Sequence, residues 1–301
     1  MGEMRSLVRL AALALMWGSS FFWIKLALGA FSPVQIVFGR LVLGALVLLA
    51  LCTLGRHALP RGRRIWLYLG VAAMFHNALP FLLFAIGEQT VSSSVTGVLN
   101  STTPLWAVVV AFAWRIERRL SLPRAAGLAL GLAGVVLIFA PWQASGLVSW
   151  GALGILAAAA AYGFAIVYEG RYLSGSGASP TALAAAQMLT ASGFLVLAVP
   201  VGGLTPIHAD GGAFVALAVL GVFSTGFAFV LNYRLIASDG AVAASMVGYL
   251  LPLVSVGLGV GFLGEPLSGR IVIGMVIVLA GVALTRVRTR VLDKPPVGSP
   301  A

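Results

Sequence analysis

Arg40 has the most chemistry to offer and the least comfortable position. It lies roughly 10 Å into the apolar run 34–54, at about 1.5 Å per residue of helix. A guanidinium there could hold an anionic group such as a substrate carboxylate. The structural alternatives are that it reaches the interface, or pairs with backbone carbonyls and Glu88. Glu88, closing the run 65–86, is the acid best placed to take up and release a proton, with a plain interfacial acid as the alternative. Glu3, Glu117, Asp210, Asp239 and Asp293 all fall in loops or tails. Glu169 stands beside Arg171 and is expected to pair with it, and Lys25 reads as an interfacial anchor.

The neutral polar residues are also patterned. Ser93, Thr96, Asn100 and Thr103 recur at i, i+3, i+7 and i+10, one stripe of a helix running into Pro104. Such a stripe either hydrogen-bonds helices together or lines a wet cavity. His76 and Asn77 precede Pro80, where a kink is expected, and Asn232 and Tyr249 would face them from the second half of the chain. Trp17, Phe21, Phe81 and Tyr162 lie deep within apolar runs, where they fill space between helices or wall a pocket. Aromatic walls suit aromatic or aliphatic amino acids and organic cations.

Catalytic and metal chemistry are not expected. Cys52 is the single cysteine, and His57, His76 and His208 are too scattered for a metal site. There is no G-x-S-x-G, no H-x-x-x-H and no apolar run holding two acids, so no intramembrane enzyme is predicted. Without a G-x-x-x-x-G-K-[ST] motif, ATP cannot drive this chain by itself. A channel would need polar rings along a continuous pore, and this polar stripe is local. No cofactor is expected, and the expected partners are a small-molecule substrate and the lipid bilayer. Oligomeric state is not legible.

These residues sit in a chain that is 60% hydrophobic and 9% charged, against roughly 25% charged in a soluble domain. The fold class is therefore an all-α membrane protein. Ten apolar runs serve as transmembrane helices: about 7–29, 34–54, 65–86, 91–114, 124–141, 149–169, 180–201, 212–236, 241–263 and 269–287. The formal charge of +11 does not signal nucleic acid, because the basic residues punctuate the ends of the runs. With the N-terminus inside, sixteen of the nineteen lysines and arginines fall in the N-tail, the loops after even-numbered runs, and the C-tail. Both termini are then cytoplasmic. Trp66, Trp114, Trp142 and Trp150 at run ends read as interfacial anchors.

The chain also repeats itself. Pro104 to Glu117 spans thirteen residues and so does Pro252 to Glu265, followed in turn by Gly127 with Ala133-Gly134-Val135 and by Gly274 with Ala280-Gly281-Val282. Trp17-Gly18 matches Tyr162-Gly163, and Ser32-Pro33 matches Ser179-Pro180. Each unit carries five runs, an odd number, so the second inserts upside down relative to the first. Two inverted five-helix repeats favour alternating access with substrate near the midplane. The units are residues 1–141 and 149–290, with 291–301 a disordered cytoplasmic tail. Trp17 and Tyr162 are expected to meet at the axis between them. Arg40 is matched by Gln187, so the second half is not expected to duplicate its role.

The run WGSSFFWIK from Trp17 to Lys25, with Ser32-Pro33 and Arg40, resembles the opening of EamA-type members of the drug/metabolite transporter superfamily. The two Pro–Glu–Gly–Ala-Gly-Val endings are similar to that family's as well, and the resemblance covers residues 7–287. It implies ten helices in two inverted repeats and the movement of small metabolites, often amino acids, nucleosides or cationic drugs, usually outward.

Overall fold

The computed structural model describes residues 2–115, 122–140, 149–244, 247–248 and 250–285, and all of its regular structure is helical. Six helices are long and apolar enough to cross a membrane: α1 (Val8–Ala27), α2 (Pro33–Leu54), α3 (Arg63–Gly87), α4 (Ser93–Ala113), α6 (Trp150–Tyr172) and α8 (Gly211–Ser238). Four apolar helices are shorter: α5 (Leu122–Phe139), α7 (Pro180–Val196), α9 (Leu251–Leu263) and α10 (Gly269–Thr285). Glu117, Trp142, the arginines of 116–121 and 286–290, the tail and Tyr249 lie outside the described residues.

Local chemistry explains where the helices begin. Ser32, Ser92, Ser149 and Ser179 each accept a hydrogen bond from a backbone N–H of the first helical turn. Ser32 and Gln35 complete a reciprocal capping box before Pro33. One boundary differs from the sequence reading. Backbone helix runs on from Ala228 to Ala244, through the Ser238-Asp239-Gly240 taken as a break, and the ninth helix begins only at Leu251. A single glycine costs about 1 kcal/mol and does not stop a helix, whereas Pro252 is tolerated only in a first turn.

Four helices depart from regularity at mid-span. In α1 the helix is interrupted at Ser19. A π-turn over Met74–Ala78 lies in α3, and another over Val222–Phe227 in α8. Pro80 accounts for the first: it has no N–H to give the carbonyl of His76, and Leu79 N–H turns back to Met74 O instead. In α4 the break falls at Ser101–Thr102, before Pro104. The hydroxyl of Thr103 donates to Asn100 O at 2.8 Å and so replaces the N–H that proline lacks.

Packing pairs helices of the first half of the chain with helices of the second. α5 packs on α10, α2 on α7 and α4 on α9. Other contacts come in matched sets: α3–α6 with α8–α1, α4–α6 with α9–α1, and α3–α7 with α8–α2. Glycines make the close approaches. A Cβ on Gly18 would stand 2.7 Å from the Val254 side chain, and one on Gly163 would stand 2.5 Å from the Trp106 side chain. Gly163 follows Gly18 by 145 positions and Val254 follows Trp106 by 148, so the two contacts are equivalent.

Candidate functional site

The helices with mid-span irregularities, α1, α3, α4 and α8, all contribute residues to one partly open cavity. Trp17, Ser20, Phe21 and Ile24 line it from α1, Arg40 from α2, and His76, Phe81 and Phe84 from α3. Asn100, Thr103 and Pro104 come from α4, Tyr162 and Ile166 from α6, and Asn232 from α8. Val247 and Gly248 ahead of α9, and Leu251 at its start, complete it. The wall is thus mainly aromatic and aliphatic with a few inward polar groups, the usual make-up of a small-molecule pocket.

Arg40 is 3% exposed. Its guanidinium carbon stands 3.8 Å from the centre of the Phe81 ring, and Nε donates to Thr225 Oγ1 at 3.1 Å. The stack and the single hydrogen bond fix the side chain while leaving its two terminal nitrogens for other acceptors. Close helix packing makes this possible, since a Cβ on Gly44 would stand 2.7 Å from the Thr225 side chain. Arg40 therefore neither reaches an interface nor pairs with the carboxylate of Glu88.

His76 Nδ1 lies 2.6 Å from Glu169 Oε1, with both side chains almost wholly buried. Gln187 Nε2 donates to the same oxygen at 2.9 Å and to Asn77 Oδ1 at 2.7 Å, while Tyr233 donates to Gln187 Oε1. This corrects the expected Glu169–Arg171 pair: Arg171 instead lies over the rings of Trp114 and Tyr172. Residues two apart on a helix point about 200° apart, and Glu169 turns inward. Trp17 and Tyr162 do not meet each other. Each makes an edge contact with the His76 ring between them, at centroid distances of 6.2 and 5.2 Å.

The EamA-like transporter family matches this chain twice, over residues 5–140 and 149–287. The chain belongs to that family. Among its relatives, an "Uncharacterized inner membrane transporter YedA" of Escherichia coli strain K12 is 30% identical over 289 residues, 90% of each chain. An "Uncharacterized transporter YvbV" of Bacillus subtilis strain 168 is 24% identical over 98% of this chain and 95% of its own. A solved crystal structure at 20% identity covers 97% of this chain and 99% of its own with a TM-score of 0.70, a likeness of fold. This EamA-like chain is thus a multi-pass membrane protein of a transporter family.

Of the thirteen cavity candidates in this EamA-like chain, Trp17, Phe21, Arg40, His76, Phe81, Asn100, Thr103, Tyr162 and Asn232 stand together at the cavity. The α4 stripe does not stay whole: Asn100 and Thr103, on either side of the break at Ser101–Thr102, line the cavity, and Ser93 and Thr96 do not. Ser93 lies at the N-terminus of α4, where its N–H donates to Glu265 Oε1 at 2.7 Å, and Thr96 returns its hydroxyl to Ser92 O. Asn77 turns to Gln187 and Met188. Glu88 is buried, and neither carboxylate oxygen has a hydrogen-bond partner among the described residues. Lys25 also points inward, donating to the carbonyls of Glu88 at 2.6 Å and Val91 at 3.2 Å.

Sequence reasoning missed Glu169, Gln187 and Tyr233, although the repeat held a signal for one of them. Arg40 matches Gln187, and Thr225 follows Asn77 by 148 positions. The bonds Arg40–Thr225 and Gln187–Asn77 are therefore equivalents in the two halves. The second half does repeat the device, with an amide in place of the charge.

Proposed function

We propose that this protein is a secondary carrier that moves a small metabolite across the cytoplasmic membrane by alternating access, with the central cavity as its substrate site. Two five-helix units of opposite orientation, residues 1–141 and 149–290, would form the ten spans, with both termini and the tail cytoplasmic. The observation that carries this reading is the exchange symmetry of the packing around the cavity. Units that interchange contacts in this way have two states of similar energy, one open to each side. The inner-membrane name of a relative supports the location.

The cavity favours a substrate with a carboxylate and an apolar or aromatic body, an amino-acid-like molecule. Arg40 supplies a fixed cation for the carboxylate, and Trp17, Phe21, Phe84 and Tyr162 supply surface for the rest. Organic cations are a second reading, favoured by the same aromatic faces and opposed by the guanidinium. Export is the proposed direction. Glu88 is the proposed outer-side proton carrier, because its buried carboxylate lacks a neutralising hydrogen bond; transport in Glu88→Gln would then lose its response to a pH gradient.

Counterflow in proteoliposomes, with aromatic and aliphatic amino acids and with cationic dyes, tests the reading. Saturable counterflow of an amino acid is expected, falling at least about tenfold in Arg40→Gln, the loss of roughly one charge-assisted bond. Non-saturable flux would favour a channel. The absence of saturable flux of any solute under any gradient would overturn the carrier.

A further inference from the structure

A second cavity lies at the junction of α6 and α7, lined by Glu169, Leu173, Ser174, Pro180, Tyr233 and Ile236 among others. A bonded pair of side chains links it to the central cavity. His76 lines the central cavity, Glu169 lines the second one, and the two are bonded at 2.6 Å. Glu169 is 1% exposed, yet its other oxygen, Oε2, has no hydrogen-bond partner among the described residues. A buried carboxylate oxygen is a strong acceptor, and leaving it unpaired is expensive unless something occupies it part of the time.

We propose that the His76–Glu169 pair is a proton-binding site joining the two cavities. One proton added to neutral imidazole and carboxylate brings the pair from one net negative charge to zero, whichever of the two groups carries it. Reached from the central cavity at the imidazole and from the second cavity at the carboxyl, the pair can exchange that proton with either side. Its use in coupling rests on the carrier reading; its protonation does not.

The surroundings fit a site that must hold a variable charge. Gln187 from α7 donates to the carboxylate and Tyr233 from α8 braces Gln187, so the acceptor keeps its place in both charge states. Trp17 from α1, Tyr162 from α6 and Phe229 from α8 enclose the imidazole. The titratable groups facing the pair are Tyr162 and Tyr233, and Arg40 from α2 is the other charged residue lining either cavity among the described residues. A purely structural pair would be expected to recur in the repeat. The equivalent positions are Ile24 and Ser224, 145 residues before Glu169 and 148 after His76, so the fold closes there without a charge.

Trp17 offers a direct readout, because a protonated imidazole beside an indole quenches its fluorescence. The difference in emission between the purified wild-type protein and Trp17→Phe, titrated from about pH 4.5 to pH 9, isolates that residue. A single quenching step is expected; it disappears in His76→Gln, and Glu169→Gln displaces its midpoint by about one pH unit as the anion is lost. A step that persists in His76→Gln, or keeps its midpoint in Glu169→Gln, overturns the proposal. If either variant fails to fold, nitrogen NMR of histidine-labelled wild-type protein decides. A buried histidine signal that titrates supports the site, and one fixed across the range overturns it. Solute flux without this titration removes the proton site and leaves the carrier; titration without any solute flux does the reverse.

Discussion

Glu265 closes the first turn of α4 from the other half of the chain. Its two oxygens accept from Ser93 N–H at 2.7 Å and Ser94 N–H at 2.8 Å, and the Ser94 hydroxyl adds a third bond at 2.6 Å. An anion at a helix N-terminus meets both unpaired N–H groups and the positive end of the dipole. Partial burial alone would raise the pKa of this carboxyl. The hydrogen bonds from Ser94 and Ser93 outweigh that, and it ends below its ordinary value. A lowered folded-state pKa means the contribution is complete above the ordinary carboxylate value and is lost as pH falls through the folded one. Thermal melts in detergent between about pH 3 and 7 should show this loss in the wild type. Glu265→Gln should remove the pH-dependent part and lower stability at pH 7 by about 1 kcal/mol, discounted for exposure. A Glu265→Gln melting curve with the wild-type pH dependence would mean that the tie carries no stability.

At the scale of elements, glycine contacts set how closely helices of the two halves approach. A Cβ on Gly163 would stand 2.7 Å from the backbone nitrogen of Ala107, and backbone cannot rotate away. Gly163→Ala should therefore separate α6 from α4 and cost about 1–3 kcal/mol. Gly193, within α7, has nothing within 4 Å of an added Cβ, so Gly193→Ala should be neutral or slightly stabilising. Comparing the two melting temperatures separates packing from helix propensity; equal shifts would contradict the close-packing account. The α3 π-turn belongs to the same scale. It brings both His76 and Asn77 inward, where a regular helix would turn consecutive residues about 100° apart.

For the whole molecule, the proposed opposed orientation of the two units makes a prediction that no single contact makes. Alkaline phosphatase joined after Gly264 should be active, and a fluorescent protein joined after Gly62 should fluoresce, placing these loops on opposite sides. Glu265 would then stand at the outer mouth, with the α6–α7 cavity on the cytoplasmic face. A cytoplasmic signal at Gly264 would remove the inverted arrangement and the alternating-access mechanism with it.

Class, most helix positions and duplication were legible in the sequence because each is a matter of one-dimensional pattern. Lipid demands long apolar runs, serines and prolines mark helix starts, and a repeated spacing such as Pro104–Glu117 and Pro252–Glu265 survives divergence. Most residues later found at the cavity were legible for a related reason: a polar or charged side chain in an apolar run must have a use. Partnership was not legible. Glu169 lies two residues from a cation in sequence, but its bond is to His76, 93 positions away, because a helix side chain pairs with what its face meets. The α4 stripe failed along the helix axis: Ser93 and Thr96 lie a turn or more before Asn100, toward the start of α4 and away from the cavity. Only the packing of the helices decided that Arg40 would rest on Phe81, and that a His–Glu pair would stand between two cavities. Such contacts depend on the relative rotation and depth of whole helices, which no local pattern encodes.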